Sequence, residues 1–548
     1  MNFKKDETAQ KLRGGYYTDP DIASFLVKWA LEKKPRSVLE PACGDGAFLN
    51  AIAKTGNGKT VERVEAYEII PQEASKARQL GKTLPSTNVK VTTGDFLQLA
   101  LSRTKEPPRF DAVLGNPPFI RYQYLDKNSQ ELAEKLFAAF ALPFTRHTNA
   151  WVPFVLSSVG QLCPGGRLAM VVPVEILHVL HAKALRDFLL ARCSKILILD
   201  PAEIWFKKTL QGVVLLLAER KEHAVQQPAQ IAVTPIKNRL ELSHGKMTKL
   251  FDNAMYTCGS TMNGKWMLTL LSRKEQKLIQ RLERNDRIRR FTEIATVDVG
   301  IVTGANKFFL VPDAVVEQYG LEKWAHPMFG RSNHVSGVVY DEATHQNNRD
   351  SGLPTNFIWF GQEPFDSLPT PVRKYIRLGE SQQLHQRYKC RIRSPWYAVP
   401  SVYATTVGML KRSHHFPRLI LNRVKSYTTD TAYRVQPKNI RATDLVVSFV
   451  NSLTALSTEL EGRHYGGGVL ELVPSEVENT LIPTGRYDRG AVQALNRSIR
   501  QGMEADKVLA QQDKLVLGPL GVTEQESRIL LDAWIRLRDR RHRSQKGK

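Results

Sequence analysis

Seven short apolar runs constrain this chain more than any other feature: "SVLEPA" (37–42), "VEAYEI" (64–69), "VKVTTG" (89–94), "FDAVLG" (110–115), "RLAMVV" (167–172), "KILILD" (195–200) and "VVLLL" (213–217). Amphipathic stretches at 20–33, 131–141, 149–162 and 180–192 lie between or beside them. Strands that alternate with helices predict a mostly parallel sheet covered on both faces. Such a sheet takes its ligands beyond the carboxyl ends of its strands. The residues that follow each run are therefore where chemistry is to be sought.

After Arg220 the pattern changes. Residues 221–240 read as a connector, 272–285 as a helix, and beyond it come short alternating segments rich in Gly, Pro, and arginines mixed with aromatics. Because 548 residues exceed what one core organises, two domains are expected, 1–240 and 241–548. The net charge is +24, and the first 220 residues hold 30 basic against 22 acidic, leaving +16 for the remainder. A basic globular chain of this kind points first to nucleic acid, with an anionic membrane or plain solubility as the other readings. No run of 18 apolar residues and no basic-then-apolar leader is present, so neither a membrane span nor secretion is expected. The five cysteines are odd in number and far apart, with no CxxC, which fits reduced thiols in a cytoplasm and gives no metal site. The final basic residues, Arg536, Arg538, Arg540, Arg541, Arg543, Lys546 and Lys548, read as a frayed solvated tail, with a phosphate-binding arm as the alternative.

Acidic residues recur at successive strand ends. "VLEPACGDGAFL" (38–49) closes the first strand in a turn where Gly44 and Gly46 let backbone amides approach a ligand, and a helix opens behind it. The turn lacks both the GxGxxG of a dinucleotide fold and the Lys-Ser/Thr of a phosphate loop. Glu40 sits where a cationic amino group would be held. Glu68 is placed to accept ribose hydroxyls, and Asp95 with Phe96 to receive an adenine amino group and cover its ring. Each acid taken alone reads as a helix cap or a surface charge, and only the ordered series points to a ligand. The fourth strand ends on Asn116-Pro117-Pro118-Phe119, which is ordinary turn punctuation or a rigid cradle for a flat amino-bearing group.

The ordered series "GGYYTDPDIASFLV" (14–27), "LEPACGDGAFL", "AYEIIP" (66–71), "TGDFL" (93–97) and "GNPPF" resembles motifs X, I, II, III and IV of the AdoMet-dependent DNA adenine-N6 methyltransferases, in the gamma-class order. The likeness runs over roughly 14–220, and it implies an α/β fold: a Rossmann-like class I methyltransferase domain with a seven-stranded mostly parallel sheet, followed by a mixed α+β target-recognition domain. It implies S-adenosyl-L-methionine as cofactor, with Tyr17, Thr18, Glu40 and the turn through Ala42, Cys43, Gly44 and Gly46 on the methionine part. Glu68 and Ile69 would take the ribose side, Asp95 and Phe96 the adenine, and Asn116 and Pro118 would border the cofactor. Asn116, Pro117, Pro118 and Phe119 would hold the extruded target base, with Trp205 either the opposite wall or a core aromatic and Phe206 as the near alternative for the wall. Phe119 keeps the stacking face of the Tyr common at that place and loses its hydroxyl.

Further along, 297–311 and 449–474 resemble parts of the family's target-recognition region. Arg391, Arg393, Lys411 and Arg412, interleaved with aromatics, are candidates for contact with double-stranded DNA. With motif X beginning at residue 14 and no carboxylate-Lys cluster evident, no nuclease is expected. A stand-alone methyltransferase is expected, either the protective half of a pair with a separately encoded restriction endonuclease or an orphan. Other readings are methylation of cytosine N4, of RNA or of protein glutamine, and a DNA-binding protein with an inactive nucleotide fold.

Overall fold

The computed structural model describes residues 17–205, 212–223, 227–243, 249–261, 264–465 and 467–542. It divides into two compact units, residues 1–270 with 542–548, and residues 271–541. The division falls 30 residues beyond the end of the connector at 221–240, because that stretch itself enters the first sheet.

In the first unit, helix α1 (Pro20–Leu31) is started by Asp19, which accepts the amide hydrogen of Asp21, and by Pro20 in the first turn, where its missing N–H costs nothing. Its apolar face, including Ile22, Leu26 and Trp29, is buried. The chain then runs through β1 (Ser37–Glu40), α2 (Ala47–Lys54), β2 (Arg63–Glu68), α3 (Pro71–Gly81), β3 (Asn88–Thr93), α4 (Phe96–Ser102), β4 (Phe110–Gly115), α5 (Lys127–Ala139) and α6 (Trp151–Gln161). It continues with β5 (Leu162–Pro173), α7 (Lys183–Arg192), β6 (Cys193–Pro201), β7 (Val213–Arg220), β8 (Gln230–Ile236) and β9 (Thr257–Cys258). The sheet order is β3-β2-β1-β4-β5-β7-β6-β8-β9, nine strands among the described residues where seven were expected. The two additions come from "QIAVTPI", whose apolar residues pair parallel to β6, and from a two-residue edge piece. Strands β1 to β5 are parallel, and β7 lies antiparallel between β5 and β6. Buried on both faces, the central strands read as near-continuous Val, Leu and Ile, as a covered parallel sheet requires.

The chain leaves β1 toward β2 and β3 on one side and returns to β4 on the other. That reversal makes the carboxyl ends of β1 and β4 the switch point at which such sheets bind ligands. Glu40 ends β1, and Asn116 directly follows β4.

The second unit is mixed α and β. A five-stranded sheet runs in the order Ala295–Val299, Ala432–Pro437, Val407–Leu410, Leu419–Asn422, Val339–Tyr340. A separate aromatic core gathers Phe308, Phe309, Trp324, Tyr375 and Tyr397. Helix α8 (Arg273–Leu282) opens the unit on a capping box between Ser272 and Glu275. The last helix, Glu524–His542, carries Arg541, which is buried and paired at 2.7 Å with the equally buried Glu459. Arg541 also donates to the carbonyls of His414, His415 and Gly468. The expected frayed tail is therefore an anchored helix as far as this residue, because the guanidinium finds a carboxylate and three carbonyls inside the fold. Arg543, Lys546 and Lys548 lie outside the described residues.

Candidate active site

Along the carboxyl edge of the sheet stand, in spatial order, Asp95 after β3, Glu68 at the end of β2, Glu40 at the end of β1 and Asn116 after β4. The turn after β1 is set by backbone: the Cys43 amide donates to the Tyr67 carbonyl and the Gly46 amide to the Cys43 carbonyl, each at 2.9 Å. Gly44 and Gly46 have φ of +53° and +95°, the left-handed region that glycine enters without strain. A Cβ on Gly46 would stand 2.9 Å from Leu80 Cδ1 and 3.1 Å from Ala77 Cα, so α2 and α3 meet there only because the residue is glycine. Ala42 is half-buried and Cys43 buried, its thiol pushed up first by desolvation and then by Glu40 and Glu68.

Glu68 is fixed from both sides, its Oε2 accepting from the Gly44 amide and its Oε1 from the Ile70 amide, each at 2.9 Å. Asp95 caps α4 by accepting from Leu97 at 2.8 Å, and burial raises its pKa. Glu40 is different. It is 1% exposed, and among the described residues neither carboxylate oxygen has a hydrogen-bond partner. Desolvation, then Asp45 and Glu68, push its pKa well above the usual carboxylate range. A buried carboxylate without a partner is costly in ionised form unless a cation meets it. Asp45 is likewise raised by burial and by Glu73, so the turn is acidic within a basic protein. The exposed Tyr17 is also raised, by partial burial and then by the nearby Glu73 carboxylate.

Asn116 is held across 98 residues: its Nδ2 donates to Oγ1 of the buried Thr18 at 3.2 Å. This bond orients the amide, with Oδ1 as the end that accepts. Pro117 is buried, and Pro118 and Phe119 are half-buried, Phe119 packing against the core of this unit. The loop is supported behind by the Ala150 amide, which donates to the Ile120 carbonyl at 2.9 Å, while neighbouring Asn149 donates to Glu175 at 3.2 Å.

Two of the expected aromatics are buried. Phe96 is buried, packed against Tyr67 and Phe154 with ring centroids 5.9 and 5.6 Å apart. Ile69, which follows β2, is an apolar side chain left 65% exposed. Trp205 is 7% exposed, belongs to the core and donates its indole N–H to Glu203 at 3.1 Å. Phe206 lies outside the described residues.

Of the four cations proposed for DNA, three are engaged inside the second unit. Arg393 donates to the carbonyls of Val302 and Thr303 at 2.7 and 2.8 Å, and Lys411 and Arg412 both pair with Glu471, at 3.2 and 2.6 Å. Arg412 stays exposed despite its ion pair, as does Arg391, which lies near the Tyr388 ring.

Sequence reasoning missed Asp19, Glu203 and Arg239. The Arg239 guanidinium pairs with Asp19 beside Thr18, and its amide donates to Glu203 at 3.0 Å, the carboxylate that also holds Trp205. Asp19 before Pro20 was legible as a helix start, but nothing local marks an ion pair whose members are 220 residues apart.

The family model described as N-6 DNA Methylase matches residues 3–291, more than half of the chain. That described as Type II methyltransferase M.Eco57I, C-terminal domain, matches residues 263–517. Among curated proteins, the Type II methyltransferase M.AccI of Acinetobacter calcoaceticus is 21% identical over 486 residues, covering 86% of either chain. M.XamI of Xanthomonas campestris pv. amaranthicola is 21% identical over 488 residues, 86% of this chain and 85% of its own. M.TthHB8I of Thermus thermophilus is 30% identical over 206 residues, 37% of this chain and 44% of its own. The solved chain of the type IIG restriction endonuclease BpuSI covers 95% of this chain and 66% of its own at a TM-score of 0.41 and 14% identity, too distant to bear on the reading. The family match spans the strand ends on which Glu40, Glu68, Asp95 and Asn116 stand, and the chain belongs to the N-6 DNA methylase family, enzymes that methylate DNA from S-adenosyl-L-methionine.

Proposed function

We propose that this chain methylates the N6 amino group of an adenine in a specific duplex sequence, as the modification enzyme of a restriction-modification system in the cytoplasm whose endonuclease is encoded separately. The observation that carries the reading is the pairing, across one switch point, of a partnerless buried carboxylate, Glu40, with an amide, Asn116, oriented by Thr18.

The site fits the cofactor on the chemistry of Glu40: its two oxygens lack partners, and the ligand's ammonium supplies the cation they need. Glu68, already braced by two amides, presents its remaining lone pairs to ribose hydroxyls, with Ile69 as the apolar surface beside it. Asp95 and the turn 42–46 complete the holder, and Tyr17 borders it through Glu73. When bound, S-adenosyl-L-methionine supplies an activated methyl on a sulfonium with its own leaving group.

The chain itself prepares the acceptor. The amine of adenine is a weak nucleophile because its lone pair is delocalised into the ring. Asn116 Oδ1 and the Pro117 carbonyl accept its two hydrogens out of the ring plane, which returns the lone pair to nitrogen. Thr18 holds the amide, and the two prolines stiffen the backbone that carries the second acceptor, so the geometry exists before the base arrives. Phe119 offers one stacking face. A base in a duplex reaches this place only by rotating out of the stack.

The test is incubation of the purified full chain with methyl-labelled cofactor and duplex DNA, RNA or bulk protein in parallel. Label on duplex DNA is expected, and label confined to RNA or protein would refute the assignment.

A further inference from the structure

Between Glu380 and Asp430 lie 49 residues without a single Asp or Glu and with nine Lys and Arg. The structure separates those nine cations by use. Arg393, Lys411 and Arg412 are engaged as described, and Arg418 donates to the Ser336 carbonyl at 3.0 Å. Arg387, Lys389, Arg391, Arg423 and Lys425 are exposed and meet no carboxylate within 4.0 Å among the described residues.

Three of these five sit on one short segment with two apolar side chains that a soluble surface seldom shows. Tyr388 is 64% exposed and Ile392 62% exposed, four residues apart across the one-turn helix Tyr388–Arg391 and hence on the same side of it. Lys389 Nζ and Arg391 Cζ lie 5.6 and 5.7 Å from the centre of the Tyr388 ring. The segment is rigidly seated. Buried Cys390 points its thiol at the Thr303 carbonyl, and Arg393 clamps the carbonyls of Val302 and Thr303. Gly304, with φ +80°, lets that loop pass under it, where a Cβ would come within 2.8 Å of Lys389 Cβ. The loop is tied at its far side by Asn306 to Asp430 at 3.0 Å and by Ile301 bridging to Thr429. The stretch at 297–311 that resembled a recognition-region signature is thus the seat of the basic segment.

We infer that 387–392 is a duplex-DNA contact element, in which Arg387, Lys389 and Arg391 bind backbone phosphates while Tyr388 and Ile392 press as an apolar wedge against the edge of the base stack. Cations flanking an exposed aromatic and an aliphatic side chain suit that partner, because phosphates neutralise the first group and stacked bases cover the second. The acid-free tract gives the surface one sign, complementary to DNA. This inference rests on the DNA-methylating reading above and names the surface that reading leaves open.

The test measures binding of the full chain to a labelled duplex across a salt series. Arg387, Lys389 and Arg391 changed together to Ala should reduce the log–log salt slope by about 0.9 per lost phosphate contact, so by about two to three units. A control that removes three exposed lysines at the opposite, amino edge of the first sheet, Lys54, Lys59 and Lys82, should leave the slope in place. Tyr388→Ala with Ile392→Ala should weaken binding roughly tenfold with the slope unchanged. Unaltered cofactor binding and melting temperature in each variant certify the fold. A triple-variant slope equal to that of the wild type, a double variant that binds as tightly as the wild type, or a wild type that prefers single-stranded RNA overturns the inference. If methyl transfer to duplex DNA persists in the wild type while the variants behave normally, this element alone is misassigned. If the wild type neither binds nor labels DNA, the underlying functional reading has failed.

Discussion

Replacing Glu40 by Gln tests the cofactor holder at its most unusual atom pair. The carboxylate is 1% exposed, both its oxygens are without partners, and burial with Asp45 and Glu68 raises its pKa well above normal. If it holds an ammonium, the substitution removes a hydrogen bond between charged groups, which contributes about 1.5–3 kcal/mol. The cofactor dissociation constant should then rise by about 10- to 150-fold, since about 1.4 kcal/mol is a factor of ten. The ligand-free fold should respond in the opposite direction. Because the folded-state pKa lies above the unfolded one, ionisation of Glu40 burdens the folded state at any pH above about 4.3, increasingly so until the folded value is passed. Gln carries no such burden, so the variant's melting temperature relative to wild type should be higher at pH 8 than at pH 5. Titration calorimetry reads the first effect and thermal melts without ligand the second. A variant that binds cofactor within about twofold of wild type, or whose relative stability falls from pH 5 to pH 8, would refute the reasoning.

Other perturbations probe separate links. Thr18→Val should lower kcat about tenfold through a misoriented Asn116 while leaving KM for DNA in place, and Thr18→Ser should restore it; steady-state kinetics on duplex substrate decide. Gly46→Ala should cost about 2 kcal/mol in urea unfolding, since its Cβ meets Ala77 backbone at 3.1 Å and its φ is left-handed. Arg541→Met should cost about 3–5 kcal/mol by stranding the buried Glu459. Burial alone would raise the Glu459 carboxyl, but Arg541 and His464 hold it below the normal range. Its contribution is therefore full above the unfolded value of about 4.3 and lost as pH falls through the lower folded value, so acid melts of wild type should be steeper there than those of the variant.

The first unit was legible because its central strands are contiguous apolar runs and each residue proposed to face the ligand follows its own strand. Glu40, Glu68, Asp95 and Asn116 could be placed from sequence for that reason alone, and all four stand on one edge of the sheet. Side-chain direction was not legible. Phe96 and Trp205 have the right type at the right spacing, yet both turn inward, because a large aromatic beside a core is stabilised more by burial than by waiting for a ligand. Charges fared worst. Arg393, Lys411 and Arg412 differ from Arg391 only in having a carbonyl or Glu471 nearby, and those partners come from segments about 60 to 90 residues away. Long-range pairs such as Asp19 with Arg239 and Thr18 with Asn116 leave no periodic trace, although the second holds the Asn116 amide.

The central claim is that the Asn116 and Pro117 oxygens receive the exocyclic amine of an extruded adenine. Duplex DNA methylated by the full chain can be digested to nucleosides and the modified one identified by mass spectrometry. The account predicts N6-methyldeoxyadenosine, abolished in Asn116→Ala while cofactor binding persists. N4-methyldeoxycytidine, or undiminished transfer by that variant, would contradict it.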